Sequence, residues 1–364
     1  MTRLPTRFTF LLAVCVFLSA CGKTPEEQLL QATGSQALLP LHEKFLAESL
    51  NLAQSTSAFC AQRSRSSTDL AALRNRWVGA MNGWEGIQSI QFGPVIEDNQ
   101  SWKVQFWPDR KNLIARKTEQ FVKGDEAITL PALQEASVVI QGLSAMEYLL
   151  YDKPAEKLLS DEGQPYCDHL STAATNLHQV ADFLYQRWHP KGGNYLGTWQ
   201  SPGPDNLAYP DKNAAIGALI ETLVYGLERI KRDKLERPLG LSNAGQANPF
   251  LLEWWRSKQS REAILINLHS LQLLYSAGDG AGLEELLRHR DKEELSQQVT
   301  ALFDQAISAT ASIEGSLSEN HSEAANRSAI NTLHQTLGEL LAAFKREIPA
   351  TLGITLGFNA NDGD

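Results

Sequence analysis

The sequence is poor in the residues and patterns that mark common enzymes. It has only four cysteines and eight histidines in 364 residues. The histidines, at 42, 169, 178, 189, 269, 289, 321 and 334, form no His-Glu-x-x-His pair and no couple four apart. That spacing is what puts two imidazoles on one helix face for a metal. No Gly-x-x-x-x-Gly-Lys-Ser/Thr phosphate loop and no Gly-x-Ser-x-Gly elbow occurs. Positive charge is in deficit: the formal net charge is −9, which removes the electrostatic footprint of a nucleic-acid binder. Beyond the first twenty residues no apolar run is long enough to cross a bilayer. Strand-like alternation is almost missing too, so the fold must be read from helical periodicity.

What is present begins at the N-terminus. In "MTRLPTRFTFLLAVCVFLSACGK", Arg3 and Arg7 precede an apolar stretch from Phe8 to Leu18, too short to span comfortably. Leu-Ser-Ala directly before Cys21 resembles the lipobox of bacterial lipoproteins. Residues 1–20 are therefore expected to be a signal peptide and Cys21 a lipidated first residue, with a plain secretory signal as the alternative. Gly22 in place of Asp, by resemblance to lipoprotein sorting rules, points to the periplasmic face of the outer membrane, where acyl chains suffice as an anchor. Cys15 leaves with the signal. Cys60 and Cys167 remain, to form one disulfide in an oxidising compartment or to stay as two buried thiols.

The body reads as all-α. Leu70, Leu73, Trp77, Ala80, Trp84 and Ile87 recur at spacings of three and four, as do Leu170, Ala174, Leu177, Ala181, Leu184 and Trp188. On that seam Trp77 and Trp84 read as core rather than as ligand platforms. Ser67 or Thr68 is the expected cap of the first helix, and a further helix is expected from about 131, with Pro131 in its first turn. Residues 190–213 hold four prolines and four glycines, too many for a regular element. Helices are expected again at 213–232, 249–276, 280–290, 293–314 and 322–346, the second opening on Asn248-Pro249. The expected organisation is a tether at 21–35, an N-terminal helical lobe at 36–189, a linker at 190–212, a C-terminal helical lobe at 213–349 and a docked tail at 350–364. A faint internal match sets Glu147, Leu149, Leu150 and Tyr151 against Glu221, Leu223, Val224 and Tyr225.

Five segments, "WEGIQSIQFGP", "QFWPDRKN", "GLSAMEYLLYD", "DKLERPLG" and the ending "LGITLGFNANDGD", resemble the imelysin-like family in its own order, over nearly the whole chain. The family groups bacterial secreted or lipid-anchored helical proteins, classed historically as peptidases. The resemblance implies two related four-helix bundles and a link to iron acquisition, with iron or haem as the implied cofactor chemistry. It further implies an iron-uptake protein or a small iron-containing ligand as the partner. The family signature Gly-x-His-x-x-Glu falls here on Gly142, Ser144 and Glu147, with serine in place of histidine. Serine is no general base near neutral pH and a poor transition-metal ligand.

Glu147 on the apolar helix "VVIQGLSAMEYLLYD" needs compensation, since a buried carboxylate is costly unpaired. It marks either a polar pocket between lobes, with Glu221 as its counterpart, or a structural polar cluster satisfied by Ser144 or an arginine. Asp109 and Arg110, after Pro108, either reach that pocket or serve as ordinary turn and cap residues. Three functions follow: a non-catalytic ligand- or partner-binding lipoprotein, a metal-dependent peptidase, or a structural interaction module.

Overall fold

A computed structural model describes residues 22–241, 245–278 and 281–357. Cys21 and the signal segment lie outside the described residues, as does the tail beyond Gly357. Among the described residues every regular element is helical.

The chain opens with α1 (Pro25–Ala32), α2 (Leu39–Cys60), α3 (Ser67–Ile87), α4 (Leu113–Val122), α5 (Leu143–Tyr151) and α6 (Gln164–Trp188). Then follow α7 (Lys212–Glu228), α8 (Ser260–Ser276), α9 (Glu293–Ala311) and α10 (Ala324–Ala342). Short turns of helix fill several of the gaps. The cap of α3 is Ser66, one residue before the expected Ser67: its hydroxyl takes the Asp69 amide while Asp69 takes the Ser66 amide, a reciprocal capping box. All twelve periodic residues on α3 and α6 are buried.

The helix α2 packs against α3 and α6, and α5 against the same two; α8 packs on α7 and α9, and α10 on α7 and α9. Contacts between α3 and α8 join these sets, and one continuous apolar core runs from Leu29 to Ile354. Cys60 and Cys167 form a disulfide between the end of α2 and the start of α6, with their Cα atoms 5.5 Å apart.

Several boundaries differ from the sequence reading. Residues 25–32 of the expected tether are the capped helix α1, with Leu29 and Leu30 fully buried, because an apolar pair on a good helix former gains by docking. The expected linker is packed: Trp199 is buried, donates from Nε1 to the Leu30 carbonyl at 3.0 Å and stacks on Phe92. The helix expected from 131 is broken, with Leu130–Glu135 ending before α5 starts at Leu143. The one expected from 249 begins only at Ser260, since Trp254 and Lys258 take the left-handed φ values of 53° and 62°, which end a right-handed helix. Conversely, α7 does not stop at 232. It widens into a π-helical stretch, Arg229–Glu236, and closes at Gly240 with φ 64°.

Candidate functional site

The signature helix is built around a contact that only glycine allows. Gly142 precedes α5, and a Cβ there would stand 2.1 Å from the Val104 carbonyl oxygen. This close approach lets the Ser144 hydroxyl accept the Phe106 amide at 3.2 Å. Glu147, buried one turn on, accepts from the Ser257 amide at 2.9 Å and the Ser257 hydroxyl at 2.7 Å, both on Oε1. Burial pushes its carboxyl above the usual value, while Ser257 and the nearby Arg256 work against that shift. Ser144, Glu147 and Asp109 line one small cavity of about 20 Å³, room for about one water molecule.

Of the remaining expected site residues, Asp109 and Glu221 are engaged elsewhere. Asp109 lines the cavity but spends both carboxylate oxygens capping α4, on the Leu113 and Ile114 amides at 2.7 and 3.0 Å. Arg110 is exposed and lines no part of the cavity. Glu221 on α7 accepts the Gly357 amide at 2.7 Å, so it holds the C-terminal segment and lines no part of the Glu147 cavity. Position and sequence spacing suggested a pair; the helices they sit on face different neighbours.

A second centre, which periodicity did not reveal, lies on the far side of Gln105. Glu85 projects from α3 and Lys234 from the π-helical stretch. Glu253 comes from the irregular segment before α8. All three are about 1% exposed. The Lys234 ammonium sits between the two carboxylates, 2.7 Å from Glu85 Oε2 and 2.5 Å from Glu253 Oε2. Trp254 donates to Glu85 Oε1 at 2.7 Å, and Asn267 to Glu85 Oε2 at 2.9 Å. Gln88 and Gln105 donate to Glu253 Oε1 at 2.8 and 2.7 Å. Burial and the neighbouring Glu253 push Glu85 up to about 7 against the pull of Lys234. Glu253 goes the other way: burial would raise it, but Lys234 and Arg229 hold it below the ordinary carboxylate value. Four of the five family-like segments meet here or at Glu147, through Glu85 and Gln88, Gln105, Glu147, and Lys234. The signal that could have found the rest was the pair of charges: Lys234 in "DKLERPLG", just past the expected helix end at 232, and Glu253 inside the segment read as helix from 249.

Beside this cluster opens a cavity of about 130 Å³, lined among others by Trp84, Trp102, Trp107, Gln88, Tyr225 and Arg229. Trp84 is thus both core and cavity wall, donating from Nε1 to Gln105 Oε1 at 2.9 Å; Trp77 is core alone, fully buried. A resident metal does not fit the donors present. Among the described residues no three of His, Cys, Asp and Glu are grouped to hold one, and the place between the two carboxylates belongs to an ammonium.

The Imelysin family model matches residues 38–344. The chain is 27% identical over 232 residues to iron-regulated protein A of Synechococcus elongatus, an alignment covering 62% of this chain. The chain spans 60% of the length of that curated relative. Its fold is similar to the crystal structure of an imelysin-like protein from Psychrobacter arcticum, with TM-score 0.76 at 20% identity over 92% of this chain and 97% of that one. It is equally similar to a Parabacteroides distasonis protein provisionally named iron-regulated protein A precursor, with TM-score 0.75 at 16% identity over 92% and 97%. With the family model covering most of the chain, and the family-like segments gathered at two adjoining buried centres, this chain belongs to the Imelysin family.

Proposed function

We propose that this chain is a non-catalytic binding protein, lipid-anchored at Cys21 on the periplasmic face of the outer membrane and serving iron acquisition through a ligand or a partner protein. The observation that carries the non-catalytic part is the state of the signature site. Its serine is spent on a backbone amide, its glutamate on Ser257, and the space between them holds about one water. A hydrolytic centre needs a base within reach of a water and donors aimed at the developing oxyanion; here Ser144 stands where a histidine would assist Glu147, and Glu147 Oε1 is held by Ser257. The iron link is supported by the names of the Synechococcus and Parabacteroides proteins, and the 130 Å³ cavity supports binding over a purely structural role.

The test has two arms. Purified protein is expected to show no EDTA-sensitive proteolysis, and metal-dependent cleavage abolished by Glu147→Ala would overturn the reading in favour of a peptidase. Transcript levels are expected to rise in iron-starved cells, and unchanged levels would remove the iron link. A thermal-shift screen with iron salts, haem and siderophores then separates ligand from partner, since a ligand of the native state alone raises apparent stability with saturation.

A further inference from the structure

Two residues that line the larger cavity each carry a buried polar atom that the protein leaves without a hydrogen-bond partner. Arg229 donates from Nη1 to the Tyr225 hydroxyl at 2.9 Å and lies over the Trp107 ring, 5.2 Å from its centroid. Its Nε is buried with no hydrogen-bond partner. Nη2 reaches Glu253 Oε1 only at 3.9 Å, beyond hydrogen-bond range. Nε–H and one Nη2–H run parallel, and together they are the side of a guanidinium that takes both oxygens of a carboxylate.

Gln88 supplies the complementary vacancy. It is 1% exposed, and its Nε2 faces three oxygens: Gln105 Oε1 at 2.7 Å, Glu253 Oε1 at 2.8 Å and Glu85 Oε1 at 3.2 Å. Turning the amide over would set an acceptor against three acceptors, so the network fixes its orientation. Gln88 Oε1 is thereby left buried with no donor. An orphaned donor and an orphaned acceptor on two residues lining one cavity each carry a desolvation cost that a ligand can relieve.

We infer that this cavity binds a small carboxylate carrying a hydrogen-bond donor on the adjacent carbon, an α-hydroxy or α-amino acid. The carboxylate lies on Arg229 Nε and Nη2, the neighbouring O–H or N–H donates to Gln88 Oε1, and the carbon skeleton packs on Trp107 and Trp102. The inference rests on the binding-protein reading but needs no iron.

The test is isothermal titration of the full chain, purified in mild detergent, with propionate, L-lactate and L-alanine. These share a three-carbon skeleton and differ only in carrying hydrogen, hydroxyl or ammonium beside the carboxylate. Lactate or alanine is expected to bind with a Kd on the order of 1 mM or tighter, and which of the two binds tells the donor. Propionate is expected to bind about tenfold more weakly, because it leaves Gln88 Oε1 unpaired. Arg229→Lys keeps the charge and loses the fork, and is expected to weaken binding about tenfold. Trp102→Ala, at a side chain 47% exposed and so harmless to folding, is expected to weaken it several-fold. Equal affinity for propionate and lactate, no effect of Trp102→Ala and Arg229→Lys, or no heat with any of the three acids overturns the inference. If the acids fail while haem or iron still shifts the melting temperature, this inference falls alone; if metal-dependent proteolysis appears while lactate binds, only the functional reading falls.

Discussion

Glu147 and Glu85 are buried to nearly the same depth and are held in opposite ways. Glu147 is met by neutral donors from one residue, Ser257, in a space the size of a water molecule. Glu85 is met by a buried ammonium, shares it with a second carboxylate, and stands next to a cavity six times larger in order of magnitude terms, about 130 Å³ against about 20 Å³. The first arrangement satisfies a charge and closes around it. The second keeps Gln88 and Arg229 only partly satisfied at a cavity wall. Incomplete satisfaction next to open space is where a polar ligand gains most.

The largest expected effect breaks the second centre. Lys234→Met leaves Glu85 and Glu253 facing each other without the ammonium between them, and breaking a buried ion pair costs about 3–5 kcal/mol. Equilibrium urea unfolding is the measurement. Adding Glu85→Gln and Glu253→Gln in the same chain is expected to recover a large part of the loss, because the remaining groups no longer repel; a loss unchanged by those substitutions would mean that Lys234 acts through packing alone.

Restoring the family histidine tests the first centre. Ser144→His must place an imidazole where the free volume is about 20 Å³, and overfilling a packed site costs about 1–3 kcal/mol. It also removes the acceptor of the Phe106 amide. Thermal melts are expected to show the loss with no recovery on adding zinc or ferrous salts. A metal-dependent rise in melting temperature would show that the signature site can still open.

The third prediction concerns pH. Glu85 titrates higher in the folded chain than its ordinary 4.5, at about 7. Its folded form therefore favours the proton: its contribution is fully present below pH 4.5 and is lost as pH rises towards 7. The slope is at most about 1.4 kcal/mol per pH unit for one proton. Glu253, held below its ordinary value, acts with the opposite sign on the acid side. In Glu85→Gln the loss between pH 4.5 and 7 is expected to vanish relative to wild type in urea midpoints across that range. Parallel profiles for the two proteins would mean that Glu85 stays ionised throughout.

Much of the architecture could be read from the residues. The three-and-four spacing on α3 and α6 marks side chains that are all buried, and Glu147 announced itself as a charge on an apolar helix. Asp109 serves as the cap that its place after a proline suggested. Lys234 was hidden because "RIKRDKLE" has the composition of a solvated helix end, and only the π-helical widening turns that lysine inward. Glu253 was hidden for another reason. "NPFLLEWWRSKQS" carries a good helix start and a continuous apolar run, and nothing local says that Trp254 and Lys258 adopt left-handed backbone. Such conformations are held by their surroundings and cluster at functional sites. Here the bend is what points Glu253 at Lys234, Trp254 at Glu85 and Ser257 at Glu147. Glu221 does not share a cavity with Glu147, because matching letters on two apolar helices say nothing about which neighbour each helix packs against.

The smallest expected effect separates the two centres most cleanly. Glu147→Gln keeps an oxygen for the Ser257 amide and hydroxyl and removes a buried charge whose carboxyl is already pushed upward by burial. Against that gain, the new NH₂ needs an acceptor in a cavity of about 20 Å³, and Arg256 loses a nearby charge. Arg256 retains Asp152 at 3.1 Å, so the opposing contributions nearly offset and the net change is expected to stay within about 1 kcal/mol. Because the wild-type carboxyl is raised, its contribution fades as pH climbs above the ordinary carboxylate value, and the variant is expected to gain on wild type in that direction. Lactate titration should meanwhile be unchanged, since Glu147 lines only the smaller cavity. A tenfold loss of binding in this variant would show that the two centres are coupled across Gln105 and act as one site.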